Sequence, residues 1–237
     1  DAVAAAQVEV TGLKPSVNYT LAVHFKSAQR GTVSAWTRPS IDGATEVATS
    51  EALIQAIADK AAVIKVAYSE TPYILGSVVL GGSVAIYGDA TAQGAQPVIQ
   101  GGLKIGADVK SIHLEAVTFD GAGLADYPHN LTFDAAAAVE NITVVNCKLN
   151  NYLRGVLYEN SKAPQVGSIK YDGVEVNNVG GDGGDCFDFR GKATVNSIEF
   201  INSTLNTGAR TWFRIDANTT LESIKLTHCT FNNLCFA

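Results

Sequence analysis

One apolar pattern recurs five times down the chain, and it leaves room for a single kind of architecture. Its copies open on Ile112 and Leu114, Ile142 and Val144, Ile169 and Tyr171, Ile198 and Phe200, and Ile224 and Leu226. A second alternating pair follows in each: Val117/Phe119, Cys147/Leu149, Val174/Val176, Ser203/Leu205 and Cys229/Phe231. Every copy then closes on Asp120, Asn150, Asn177, Asn206 or Asn232, and the isoleucines lie 30, 27, 29 and 26 residues apart. Val84/Ile86 and Ile64/Val66 read as two weaker, earlier copies. Apolar residues at i, i+2, i+5 and i+7 describe two short strands with a bend between them, and no helical period. A long repeat built of such strands and closed by Asn or Asp is a solenoid in which each turn stacks on the last. The fold class is therefore all-β, a parallel β-helix of about seven coils.

The bulk numbers agree with this and remove some functions. With 237 residues, 46% of them hydrophobic, the chain buries a substantial core. Its formal charge is −6 and it has no basic run, so no nucleic-acid partner is expected. No stretch has the length of a membrane span. The absence of methionine, even at the start, reads as a processed or trimmed chain. Cys147 and Cys229 fall in one core column, Cys186 is expected to face outward, and Cys235 is near the end. Their spacing matches neither a disulfide framework nor a zinc motif.

Before the repeats, Ser50 reads as the N-cap of a short amphipathic helix, about 50–62, carrying Leu53, Ile54, Ile57 and Ala61 on one face. Such a helix covers the open apolar end of the first coil. Residues 41–48 read as a linker. The last repeat is followed by no capping residues, so further coils are expected, and residues 41–237 are read as a β-helix truncated at its C-terminus.

Each coil needs a third strand, and short apolar pairs lie between the repeats: Leu131/Phe133, Val156/Tyr158, Phe187/Phe189 and Phe213/Ile215. Alternation turns Thr132, Leu157, Asp188 and Arg214 outward as one column. Asp134, Glu159, Arg190 and Asp216 form a flanking column, and Asn130, Gly155, Cys186 and Trp212 a third. This is the densest set of charged and aromatic residues in the chain. Trp212 beside Arg210 and Arg214 suits a stacked sugar ring whose carboxylate is held by guanidinium groups, with Arg190 and Glu159 as further substrate contacts. The same pattern also reads as an ion-pair ladder that holds the register of stacked strands. Gly180-Gly-Asp182-Gly-Gly-Asp185 fits one copy of a calcium-binding nonapeptide and equally a glycine-rich turn. The column Asp120, Asn150, Asn177, Asn206 and Asn232 reads as a hydrogen-bonded ladder at one bend.

Two resemblances follow. Leu13-Lys-Pro15 with Tyr19 resembles the tyrosine corner of a fibronectin type III domain, which implies that residues 1–40 are the last three strands of such a β-sandwich, including Val8/Val10 and Val33–Thr37. Residues 44–233 resemble the pectin-lyase-like right-handed parallel β-helix superfamily through the cap helix, the coils and the Asn column. The two together resemble surface proteins of polysaccharide-degrading gut bacteria. That resemblance implies an extracellular or outer-surface location and a polysaccharide partner, acidic in character, bound by a monomer. The lyases of the superfamily use an Arg or Lys as base beside a uronate carboxylate neutralised by calcium. Carried over, this makes Arg214 the candidate base with Asp188 beside it, and Asp182, Asp185, Asp188 and Asp216 the candidate calcium ligands. No catalytic motif of the superfamily's lyases, polygalacturonases or methylesterases is present, and its members include purely structural proteins. A polysaccharide lyase and a non-catalytic glycan-binding or structural module thus both follow from the sequence.

Overall fold

The computed structural model describes residues 10–14, 17–37, 41–91, 93–125, 129–181, 183–206 and 209–233. The chain divides into two units, residues 1–42 and 43–237. In the first, Asn18–Phe25 and Ala28–Trp36 pair antiparallel as a hairpin. Tyr19 Oη accepts a hydrogen bond from the Lys14 backbone N–H at 3.0 Å, the backward reach expected of a tyrosine corner. Val10 belongs to no strand, and Val8 lies outside the described residues.

The second unit is a parallel β-solenoid of about six turns. Its anchor strands, from Val63–Ala67 through Ala138–Val145 to Thr220–Thr227, form one sheet to which Thr45–Val47 adds an edge. The seven copies counted in the sequence bound six turns between them, which is why the turn count is one lower. Registration is residue for residue: Ile112, Ile142, Ile169, Ile198 and Ile224 are successive partners. The earliest copy is shifted, because Ile64 pairs with Ile86 rather than with Val84. Since Thr45–Val47 is a strand of the solenoid, residues 41–48 are not simply a linker.

Two further ladders complete each turn. Thr118–Asp120, Lys148–Asn150, Glu175–Asn177, Thr204–Asn206 and Thr230–Asn232 form the second. His129–Phe133, Gly155–Glu159, Asp185–Phe189 and Thr211–Ile215 form the third. In the early turns one long strand, Val98–Ile105, serves both, pairing with Thr118–Asp120 along its first half and with His129–Phe133 along its second. The bend between the anchor and second strands is repeated by Ala116, Asn146, Gly173, Asn202 and His228, all at positive φ. At the ends of the second-ladder strands, Asp120, Asn150, Asn177, Asn206 and Asn232 stack in register. Asn177 Nδ2 donates to Asn150 Oδ1 at 3.2 Å, and Asn151 Nδ2 donates to Asp120 Oδ1 at 2.9 Å. The bonds between turns thus run partly within the column and partly to it from the residue that follows, as from Asn151 and from Asn233, whose Nδ2 donates to Asn206 Oδ1 at 3.2 Å.

The helix spans Ser50–Ala58 and is capped by Thr49, whose side chain accepts from Ala52 N–H at 3.1 Å; Ser50 is its first residue instead. Ser50 Oγ accepts from Ile74 N–H at 2.8 Å and so ties the helix to the first turn. Leu53, Ala56 and Ile57 are buried, while Ile54 is exposed. Beyond them the core is a stack of like on like, with Ile198 and Phe200 fully covered by the next turn. In the last described turn the equivalent Ile224 and Leu226 are exposed. Among the described residues no helix is long and apolar enough to cross a membrane.

Two buried tyrosines have opposite hydrogen-bond status. Tyr152 Oη donates to Gly101 O at 2.6 Å and accepts from Asn130 Nδ2 at 3.2 Å. Tyr171, stacked on Phe200 at 5.0 Å, leaves its hydroxyl buried and unpartnered. Tyr152→Phe is therefore expected to lower stability by about 1–3 kcal/mol, since it strands two buried polar groups. Tyr171→Phe is expected to leave stability unchanged or raise it. Urea denaturation of the two variants checks both.

Candidate functional site

The third ladder presents its outward side chains as one line. Lys104, Thr132, Tyr158, Asp188 and Arg214 are successive register partners, from the long early strand to the last third-ladder strand. Adjacent strands sit about 4.8 Å apart, so each side chain meets its neighbour one turn away.

The sequence places Leu157 in this line, and the structure corrects it by one residue. Leu157 pairs with Leu131 and Phe187 in the core, and Tyr158 takes the outward place. The cause lies in the next turn. Phe133 and Phe189 stand six residues before their anchors, Val139 and Val195, whereas Glu159 stands seven before Val166. The longer turn carries Ser161 and Ala163 at positive φ. Glu159 is fully buried rather than outward, and its carboxylate accepts from the Lys162 N–H and the Gly191 N–H, both at 2.8 Å. A Cβ on Gly191 would sit 2.3 Å from that carboxylate, so this position needs glycine. Glu159 thus holds two turns together and is not a substrate contact.

Strict alternation also fails where these strands begin. Val156 and Leu157, Cys186 and Phe187, and Trp212 and Phe213 are consecutive pairs that all lie in or against the core. Cys186 is buried with its thiol pushed well above the ordinary range by burial, so it does not face outward. Trp212 is only 9% exposed. It packs edge-on to Phe231 at 5.4 Å and against Phe187 at 6.0 Å, so it offers no stacking face to a sugar.

The charged residues do converge as their register predicts. Asp185 and Asp188 are each 1% exposed beneath a cover of arginines. Arg210 grips Asp185 with two hydrogen bonds, Nε to Oδ1 at 3.0 Å and Nη2 to Oδ2 at 2.6 Å, and Thr211 adds a third at 2.9 Å. Burial works to raise the Asp185 carboxyl, but these donors and the Arg214 charge outweigh it and hold the group below the usual carboxylate range. Arg190 approaches Asp188 only through Oδ2, at 2.7 and 2.6 Å. The other oxygen, Oδ1, is buried without a hydrogen-bond partner. Burial therefore prevails there, and the Asp188 carboxyl is raised. Arg214 stands among three acids, 3.8 Å from Asp185, 4.0 Å from Asp188 and 3.4 Å from Asp216.

Tyr158 joins this cluster to a recess on the neighbouring turns. The His129 ring stacks on Tyr158 at 4.7 Å and 10°, and the Arg190 guanidinium lies 5.5 Å from the ring centroid. His129 is pushed down to about 3 by burial and by the charges of Arg154 and Arg190, so it is neutral at physiological pH. The recess, about 320 Å³, is lined by Lys104, Thr132, Phe133, Asp134, Tyr158, Asn160 and Lys162. Sequence reasoning missed it because Lys162 belongs to a turn and Lys104 to an early strand. The in-register line Lys104–Thr132–Tyr158 was the available signal.

Of the expected calcium ligands, Asp182 lies outside the described residues. Among the described residues no three acidic, His or Cys side chains come together as a metal-binding group. Both oxygens of Asp185 are engaged by Arg210 and Thr211.

A parallel β-solenoid carrying an outward line of polar, aromatic and charged side chains is the class that fold and site define. The family of the domain of unknown function DUF4957 matches residues 69–207, more than half of the chain, and the chain belongs to that family. No curated protein and no solved structure matches it. The matched span contains the recess and both buried aspartates, while Arg210 and Arg214 lie beyond it.

The two aspartates are expected to respond oppositely to neutralisation. Asp185→Asn removes a charge that the fold favours, so it lowers the unfolding midpoint at pH 7. That difference shrinks as pH falls through the depressed pKa of Asp185, where the parent loses the same stabilisation. Asp188→Asn removes a charge that burial penalises, so it leaves the midpoint unchanged or raises it. Any gain shrinks as pH falls through the raised pKa of Asp188 and is gone below the ordinary carboxylate range. Thermal unfolding of both variants against pH reads the two signs.

Proposed function

We propose that this chain is a carbohydrate-associated surface protein that binds a polysaccharide along the outward face of its third ladder. The observation that carries the reading is the unbroken line Lys104, Thr132, Tyr158, Asp188 and Arg214 beside a polar recess. A polymer lying along the solenoid axis would meet the partly exposed Lys104, Tyr158 and Arg214 of this line, and over the buried Asp188 the arginines that cover it. Tyr158, braced by His129 and Arg190, offers a ring edge and hydroxyl whose position needs no reordering on binding. Hydroxyl, carboxylate, amide and ammonium groups around an aromatic side chain are the usual complement of a sugar. The likeness of residues 44–233 to the pectin-lyase-like superfamily, and of the Tyr19 corner to a fibronectin type III module, supports an extracellular or outer-surface setting. The reading assigns no role to calcium, because the Asp185 oxygens are already engaged.

A second reading, a lyase acting on uronate chains by β-elimination, has one observation in its favour. Asp188 Oδ1 is unpartnered, the carboxyl is raised, and Arg214 lies 4.0 Å away. Against it, Arg214 is held among three carboxylates, an arrangement suited to a fixed cation rather than a proton acceptor. Affinity electrophoresis through gels of neutral and acidic polysaccharides is expected to retard the parent and not Tyr158→Ala. Ultraviolet absorbance of the same mixtures, with and without calcium, is expected to stay flat. A rise that Arg214→Ala abolishes would establish the lyase.

A further inference from the structure

The turn that follows Gly155–Glu159 departs from the repeat in both length and backbone. The corresponding turns 134–138, 190–194 and 216–220 are one residue shorter and hold no residue at positive φ. Residues 160–165 carry two, Ser161 at 60° and Ala163 at 52°. Ala163 also precedes Pro164, where an extended backbone is preferred. Left-handed backbone is costly for a residue with a Cβ, and such strain persists only where its surroundings hold it. Here the holder is the Glu159 carboxylate. One oxygen accepts from the Lys162 N–H at 2.8 Å and the Ala163 N–H at 3.3 Å, and the other from the Gly191 N–H of the next coil at 2.8 Å. Gly191 lets the turn lie close, since a Cβ there would sit 2.6 Å from Ser161 N.

The segment so held adds nothing to the core. Asn160, Ser161, Lys162 and Ala163 are all exposed, so a buried carboxylate and two strained residues fix a stretch of surface. What they fix is a wall of the recess, whose lining includes Asn160 and Lys162 beside Tyr158. Lys162 Nζ has no ion-pair or hydrogen-bond partner among the described residues. Ser161 Oγ donates to Asn160 Oδ1 at 3.2 Å, which leaves the Asn160 amide donors to a ligand. Tyr158 is itself held by His129 from the preceding coil and Arg190 from the following one. Extra residues in one turn of a solenoid fall as a rule on its binding face. Hydrogen-bonding groups fixed before binding suit the oxygens of a sugar unit, because little freedom is lost when they engage it.

We infer that residues 160–163 form a preshaped arm that contacts the bound polysaccharide through Asn160 and Lys162, with Glu159 as its positioning residue. The inference rests on the glycan-binding reading above and adds to it the residues that set affinity at the recess. Arm, staple and Gly191 all lie inside the family's matched span.

The test titrates the full chain calorimetrically with polygalacturonate and with a neutral galactan, and follows whichever the parent binds. Asn160→Ala and Lys162→Ala are each expected to weaken that binding by about tenfold, as loss of a ligand hydrogen bond implies. Both side chains are exposed, so the variants keep the fold, and their unfolding midpoints confirm this. Glu159→Gln is expected to weaken binding as far as Lys162→Ala does, and the two together no further, because the first acts through the second. Ala163→Gly keeps every contact but relaxes the backbone, so it serves where Glu159→Gln fails to fold. Its unfolding midpoint is expected to stay or rise while its affinity falls about threefold, since a looser arm must be ordered on binding. A turn with a merely structural role would move the midpoint and leave affinity alone. Parent-like affinity of both Asn160→Ala and Lys162→Ala overturns the arm while glycan binding stands. Parent-like affinity of Ala163→Gly, or additive losses in the double variant, overturns its preshaping by Glu159. Failure of the parent to bind either polysaccharide overturns the arm and the glycan reading together.

Discussion

The structure depends on one constraint: each residue of a turn has the equivalent residue of the next turn as its neighbour. In-register parallel pairing makes Ile112, Ile142, Ile169, Ile198 and Ile224 a continuous column, and Asn150, Asn177 and Asn206 another. Apolar residues gain from such repetition because like surfaces cover each other from water. Amides gain because each is both donor and acceptor. Charges do not, since a column of identical carboxylates would repel itself. Outward columns that carry charge therefore change from turn to turn: Lys170, Glu199 and Lys225 alternate on the anchor sheet, and Lys104, Thr132, Tyr158, Asp188 and Arg214 follow one another on the third ladder.

That requirement shapes the candidate site. Asp185 and Asp188 are held almost without exposure because arginines from their own and the following turn close over them. The compensation is unequal. Asp185 receives three hydrogen bonds and is stabilised as an anion, whereas Asp188 keeps one oxygen bare and is raised. The cluster thus consumes its own arginines, and the polar recess lies on the turns that precede it. Tyr158 belongs to both, since Arg190 reaches from Asp188 to its ring.

The legible part of the site follows from spacing, and the illegible part from departures of a single residue. The neighbourhood of Asp188 and Arg214 follows from counting back from the anchors Val195 and Leu221. The same count fails at Val166, where the turn is one residue longer, and the error exchanges Leu157 for Tyr158 and turns Glu159 outward. Trp212 and Cys186 were misplaced for another reason. Period-2 alternation assumes regular backbone, and these strands begin with two consecutive core residues. A tryptophan beside arginines looks like a sugar platform in sequence, but its large apolar surface is worth more against Phe187 and Phe231 than in water.

By itself the sequence determined the solenoid, the register of its five clear anchor copies and the Asn column, because each is a local pattern repeated at a nearly fixed interval, and it determined the capping helix from its local amphipathic pattern. Repetition makes a pattern its own partner, so no distant contact has to be known. Tertiary structure alone decided which of Leu157 and Tyr158 meets solvent, that Glu159 bridges two turns, and that Lys104, Tyr158 and Lys162 share one recess. Those outcomes turn on one extra residue in a turn and on side chains from different coils. Neither has a periodic signature, and only the folded backbone brings their partners within reach.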